Sequence, residues 1–145
     1  MLSRQAWDVV VCHGKYLGDR ETCDRMKILV VDDNVDSAES LALLLAMGGH
    51  ETHVAHDGPA AMDAAAQLLP DVMLLDIGLP RMDGFEVCRR VRQEPWGRTM
   101  GMVALTGFGQ DRDRVESESA GFDRHMVKPI DYDALMRTLD TFTVR

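Results

Sequence analysis

Residues 28–31, Ile-Leu-Val-Val, form an apolar run without alternation, the pattern of a strand buried on both faces. The run stops on two adjacent carboxylates, Asp32 and Asp33. Beyond it, strand-like and helix-like segments alternate to the C-terminus. Asp36-Ser-Ala-Glu39 has the spacing of a capping box with Asp as the cap, and predicts a helix through Leu41, Leu44 and Leu45 that stops at Gly48-Gly49. Residues 52–55 read as a short strand, and Gly58-Pro59 opens an alanine-rich helix that Pro70 ends. Residues 72–75, Val-Met-Leu-Leu, form a second strongly apolar strand ending on Asp76. A loop over 77–84 carries Gly78, Pro80 and Gly84, and precedes a helix with Phe85, Val87, Cys88 and Val91 on its apolar face. Residues 102–105 make a strand ending on Thr106, residues 111–120 a highly charged helix, residues 125–127 a strand ending on Lys128-Pro129, and residues 132–139 the last helix.

Five strand–helix units joined by short connections predict a parallel sheet covered on both faces. The 145 residues have the size of one domain. The first 25 residues fit the alternation poorly. They are expected to be an extension outside the domain 26–145, either flexible or ordered by a partner, or an assignment upstream of a true translation start at Met26. Of the ten methionines, Met47, Met62, Met73, Met102 and Met136 read as core filling, and Trp96 as a loop cap over the core.

Charge narrows the function classes. Four basic and four acidic residues cancel up to Arg25, so the net −8 belongs entirely to Met26 onward. An acidic body lacks the basic face that neutralises phosphates in direct nucleic-acid binding. It suits a cation site or basic partners. No apolar stretch approaches the ~20 residues of a membrane span. Asp8 interrupts the apolar run at Trp7–Val11, and no cleavage site of a secretory signal follows. Cys12, Cys23 and Cys88 make an odd count without CxxC spacing, as expected of reduced thiols in the cytoplasm. Cys12 and His13 lack a second pair that would complete a metal site.

Polar residues follow four of the five strands: Asp32-Asp33, Asp76, Thr106 and Lys128. In an open parallel sheet the strand C-termini share one edge, and ligands bind where the strand order reverses. If the first and third strands are neighbours, Asp32, Asp33 and Asp76 meet in one crevice. Three carboxylates there must either be partly protonated or be neutralised by a cation. Mg2+ suits such an oxygen-only donor set, since it binds one or two carboxylates, waters and phosphate oxygens. With the Thr106 hydroxyl and the Lys128 ammonium added, the set is that of a phosphoryl-transfer site, with Asp76 as the nucleophile candidate.

The segments Val30-Val-Asp-Asp-Asn34, Leu74-Leu-Asp-Ile-Gly-Leu-Pro-Arg-Met-Asp-Gly84, Ala104-Leu-Thr-Gly-Phe108 and His125-Met-Val-Lys-Pro-Ile-Asp131 resemble, in order and spacing, the receiver domain of two-component response regulators. The resemblance covers Met26 to about Val144. It implies a flavodoxin-like doubly wound α/β fold, with five parallel strands in the order 2-1-3-4-5 and helices on both faces. It also implies that Asp76 accepts a phosphoryl group from a histidine kinase or a histidine phosphotransfer protein. Asp33 and Asp76 would ligate Mg2+ directly, Asp32 through water, and the Gly78 backbone carbonyl would complete the set. Lys128 would pair with Asp76 or its phosphate, ahead of a cis bond to Pro129. Thr106 would be the switch hydroxyl. His125 stands where the family usually has Tyr or Phe, and would bring a smaller, titratable ring to the switch position.

The function expected is phosphorelay signal transduction by a stand-alone cytoplasmic receiver that assists its own phosphorylation and dephosphorylation and turns over no separate metabolite. Its output would be protein binding, with homodimerisation on phosphorylation as one form. The fifth strand, the charged helix and the last helix are the family's partner-contact region. Two other classes remain open at this point: a pseudo-receiver that binds without being phosphorylated, and an aspartyl-nucleophile phosphatase. The latter lacks its DxD-type signature, since Ile77-Gly78 follows Asp76.

Overall fold

The computed structural model describes the backbone of residues 8–11, and residues 26–79, 82–107 and 118–142. The elements are β1 (Asp8–Val11), β2 (Lys27–Val31), α1 (Val35–Met47), β3 (Glu51–Ala55), α2 (Gly58–Leu68), β4 (Val72–Asp76), α3 (Gly84–Gln93), a 3-10 turn (Pro95–Gly97), β5 (Gly101–Thr106), β6 (Arg124–Val127) and the last helix, here α4 (Tyr132–Asp140). The sheet order is β1-β3-β2-β4-β5-β6. From β3 to β6 every pairing is parallel, which is the predicted order 2-1-3-4-5 in the numbering of the five parallel strands.

β1 is additional. It runs antiparallel along the open edge of β3, with Asp8 opposite Val54 and Val11 opposite Glu51. Among the described residues β1 is four residues long, too short for a periodicity that the sequence could display.

The unbroken apolar runs are explained by two cores, one on each face of the sheet. Leu29, Val31, Met73, Leu75, Met102 and Ala104 face one way, onto the alanines of α2 and onto Phe85, Val87, Cys88 and Val91 of α3. Ile28, Val30, Val72, Leu74, Val103 and Leu105 face the other way, onto Ala38, Ala42 and Leu45 of α1 and onto Leu135 and Leu139 of α4. Successive residues alternate between the two cores, as the pleat requires. Burying one such leucine or valine side chain stabilises the fold by about 1.5–3 kcal/mol.

Each of the helices α1 to α4 starts on a side-chain cap at the C-terminal edge of the sheet. Asn34, Asp57, Asp83 and Asp131 accept from the N–H groups of Ser37, Ala60, Glu86 and Ala134. The first of these corrects the sequence reading. The cap of α1 is Asn34, and Asp36 lies inside the first turn, where its charge favours the positive end of the helix. At the other end of α2, Leu69 takes the left-handed conformation that closes the helix before Pro70.

The methionine reading holds for Met73 and Met102, both fully buried, and for Met62 and Met136, which pack on the rims of the two cores. It fails for Met47, which is 70% exposed at the end of α1, because that helix buries its alanines and Leu45 instead. Trp96 packs against the α2–α3 core from the 3-10 turn. The charged helix expected over 111–120 lies outside the described residues except for 118–120, which are helical.

Candidate functional site

The site follows from where β2 and β4 stop. The two strands are neighbours, with Val31 opposite Leu75, so the residues after them emerge side by side. β3 leaves to one side of β2 and β4 lies on the other, which places this junction at the reversal of strand order. Asp32, Asp33 and Asp76 each bring a carboxylate oxygen within 4.8 Å of the others. Lys128 directly follows the end of β6, ahead of the cis bond to Pro129, and its Nζ donates to Asp32 Oδ2 at 2.8 Å and to Asp76 Oδ2 at 3.1 Å.

The three carboxylates have unlike surroundings. Asp32 is 3% exposed, with its Oδ1 accepting the Asn34 N–H at 3.0 Å. Asp76 is partly buried, and its Oδ1 accepts the Gly78 N–H at 2.8 Å. Asp33 is exposed and makes no hydrogen bond among the described residues. Burial of Lys128 disfavours its charge, but its hydrogen bonds to Asp32 and Asp76, and their negative charge, outweigh this and hold its pKa above the usual lysine value. The ammonium is therefore charged at neutral pH and offsets part of the carboxylate repulsion. Among the described residues one ammonium, bonded to Asp32 and Asp76, stands beside three close carboxylates, and every metal-ligating atom they offer is a hard oxygen. A small divalent ion such as Mg2+ fits that donor set.

Thr106 is buried at the end of β5, and its carbonyl accepts the Lys128 N–H at 2.8 Å, tying the Lys128 loop to the strand that presents the hydroxyl. β5 adjoins β4 directly, with Leu105 opposite Asp76. His125 lies on β6 opposite Ala104, half-buried, with its Nε2 buried. It belongs to the flank of the site and not to the carboxylate cluster. Gly78 meets Asp76 through its N–H. A groove of about 680 Å3 extends from Asp32 and Lys128 past Ser37, Leu41 and Leu44 of α1 to Ile130.

One neighbour of the site escapes the sequence reading. His56 follows the end of β3, and its Nδ1 lies 3.1 Å from the carbonyl oxygen of Asp32. The rule that singles out the polar residues after the other four parallel strands also points to His56 after β3.

A family model for the response regulator receiver domain matches residues 28–140. A 14.6 kDa protein of the sodA1 3′ region of Leptolyngbya boryana is 34% identical over 122 residues, which are 84% of this chain and 93% of that protein. The response regulator MprA of Mycobacterium avium is 39% identical over 111 residues, 77% of this chain and 48% of that protein, so the chain spans about half of MprA. Among solved structures, the receiver domain of the sensor histidine kinase PA1611 from Pseudomonas aeruginosa has magnesium coordinated in its active-site cleft. It superposes with a TM-score of 0.77 at 28% identity, covering 83% of this chain and 99% of that one.

Proposed function

Because this chain belongs to the response regulator receiver-domain family of two-component signalling, we propose that Asp76 is its phosphoryl acceptor and that the donor is a histidine-phosphorylated kinase or phosphotransfer protein. Receiver domains are in general phosphoacceptors and not turnover enzymes, and they work with histidine kinases and downstream effectors. The observation that carries the reading is Lys128 Nζ seated between Asp32 and Asp76 inside the carboxylate cluster.

In the transfer, an Asp76 carboxylate oxygen attacks phosphorus. The P–N bond to the donor imidazole breaks, its electron pair stays on that nitrogen, and an aspartyl phosphate forms. The Gly78 N–H and the Lys128 ammonium hold the two Asp76 oxygens and so fix the direction of attack. Lys128 also carries positive charge to where the phosphoryl oxygens arrive. Mg2+ held by Asp33, Asp76 and the Gly78 carbonyl, with Asp32 acting through water, would neutralise charge on those oxygens. Thr106 is the hydroxyl that follows the phosphoryl group, and His125 takes the place of the switch aromatic beside it. The phosphorylated state then shifts a conformational equilibrium that a partner protein reads, and the chain's net charge of −8 suits a basic partner. Residues 26–145 form the receiver proper, and residues 1–25 are an extension to it.

The test is the intact mass after incubation with acetyl phosphate and Mg2+. One added phosphoryl group is expected, absent in Asp76→Asn and absent with chelator. A folded, Mg2+-binding chain that gains nothing from either acetyl phosphate or a histidine-phosphorylated donor would overturn the reading.

A further inference from the structure

Asp33 has a positional problem that the rest of the cluster does not share. Asp32 and Asp76 are held by hydrogen bonds to both carboxylate oxygens. The Asp33 side chain is exposed and receives no hydrogen bond from any described residue. Its reach toward the other two carboxylates is set by its backbone, and first by the orientation of the Asp32–Asp33 peptide.

That peptide lies past the last residue of β2, where the regular ladder has ended. The Asp32 N–H still donates to the Ala55 carbonyl at 3.1 Å. β3 ends there, because the next residues turn into the Asp57 cap of α2, so its backbone does not continue beside β2. A side chain takes over. His56 Nδ1 lies 3.1 Å from the Asp32 carbonyl oxygen, and since a carbonyl can only accept, this nitrogen carries the proton and donates. The peptide plane between Asp32 and Asp33 is therefore tied to the start of the β3–α2 connection.

We propose that His56 is a positioning residue for the cation site: by holding the Asp32 carbonyl it aims Asp33. The inference rests on the reading of the cluster as an Mg2+ site. His56 is assigned no contact with the ion. It acts as an outer hydrogen-bond partner does in metal sites generally, where loss of such a partner weakens metal affinity by about 10–100-fold.

The experiment is calorimetric titration of Mg2+ into the full wild-type chain, His56→Ala and His56→Asn, beside the backbone order parameter of the Asp33 amide in chelator. His56→Ala is expected to weaken Mg2+ binding by about tenfold. It should also lower the Asp33 order parameter and raise the Mg2+ concentration needed for half-maximal phosphorylation from acetyl phosphate, with the rate at saturating Mg2+ little changed. Asn carries an N–H at the same bond distance from the backbone as Nδ1, so His56→Asn is expected to restore both affinity and order. Wild-type affinity in His56→Ala, or equal loss in His56→Ala and His56→Asn, would overturn the assignment. A wild-type chain that binds no Mg2+ would overturn the cation reading itself, and this inference with it.

Discussion

β4 and β6 are parallel strands on either side of β5, yet they live under different rules. In β4 the residues Val72, Met73, Leu74 and Leu75 are all fully buried. In β6 Arg124 and Val127 are exposed, and His125 and Met126 are half-buried. At the centre, both faces are covered by helices, and apolar side chains are the only ones that fit. At the flank, one face or one edge stays wet, and polar residues are tolerated. The opposite flank is handled by a third means, since β3 does not end the sheet but is followed by β1. The centre therefore carries stability, and the flanks carry what can be changed or moved.

The largest contrast is kinetic. Cys88 packs against the buried face of β4 and is fully buried, and burial pushes its thiol up to about 12. In a Cys12→Ser, Cys23→Ser background, thiol labelling should run through unfolding and be at least about a thousandfold slower in native protein than in denaturant. Labelling at the unfolded-state rate would break the picture of a sealed centre. The same group sets a pH dependence. Its folded pKa is raised, so its contribution is complete below the ordinary cysteine value of ~8.5 and declines as pH rises toward 12, because the unfolded chain sheds a proton that the folded one keeps. Comparing chemical denaturation of wild type and Cys88→Ala at neutral pH and at about pH 10 should reveal an alkaline loss of about 2 kcal/mol that the variant lacks.

Next in size is core truncation. Leu74→Ala removes a fully buried side chain between α1 and α4 and should cost about 2–5 kcal/mol in urea denaturation. Val127→Ala, at an exposed position of β6, should stay within about 0.5 kcal/mol. Equal losses at the two positions would erase the distinction between centre and flank.

The smallest effect sharpens the third case. Glu51 N–H donates to Met26 and the Ala55 carbonyl accepts from Asp32, so residues 51, 53 and 55 turn their main chain to β2, and Thr52 and Val54 turn theirs to β1. Val10 stands opposite Thr52. Val10→Pro should abolish hydrogen-exchange protection at Thr52 and Val54 and spare Glu51, His53 and Ala55, with global stability lower by no more than about 1 kcal/mol. Unchanged protection at Thr52 and Val54 would remove β1 from the account of that edge.

Much of this was legible in the residues. Apolar runs without alternation at 28–31, 72–75 and 102–105, each followed by a polar residue, determined three central strands buried on both faces and a row of functional groups along one edge. Burial on two faces leaves no room for polar residues inside the run, and a parallel sheet puts all the run ends together. Asp32, Asp33, Asp76 and Lys128 were readable for that reason, and the structure brings those four into one cluster. Only the tertiary structure decided matters that depend on what stands nearby. The cap of α1 fell to Asn34 because its oxygen meets the Ser37 N–H. Met47 stays exposed because α1 buries its alanines and Leu45. β1 exists because β3 offers an open edge. His56 can be picked out as the polar residue after β3, but its partner, the Asp32 carbonyl, is set by the neighbouring strand. Periodicity records which face of a segment is buried, and it cannot record which distant backbone group a polar side chain will meet.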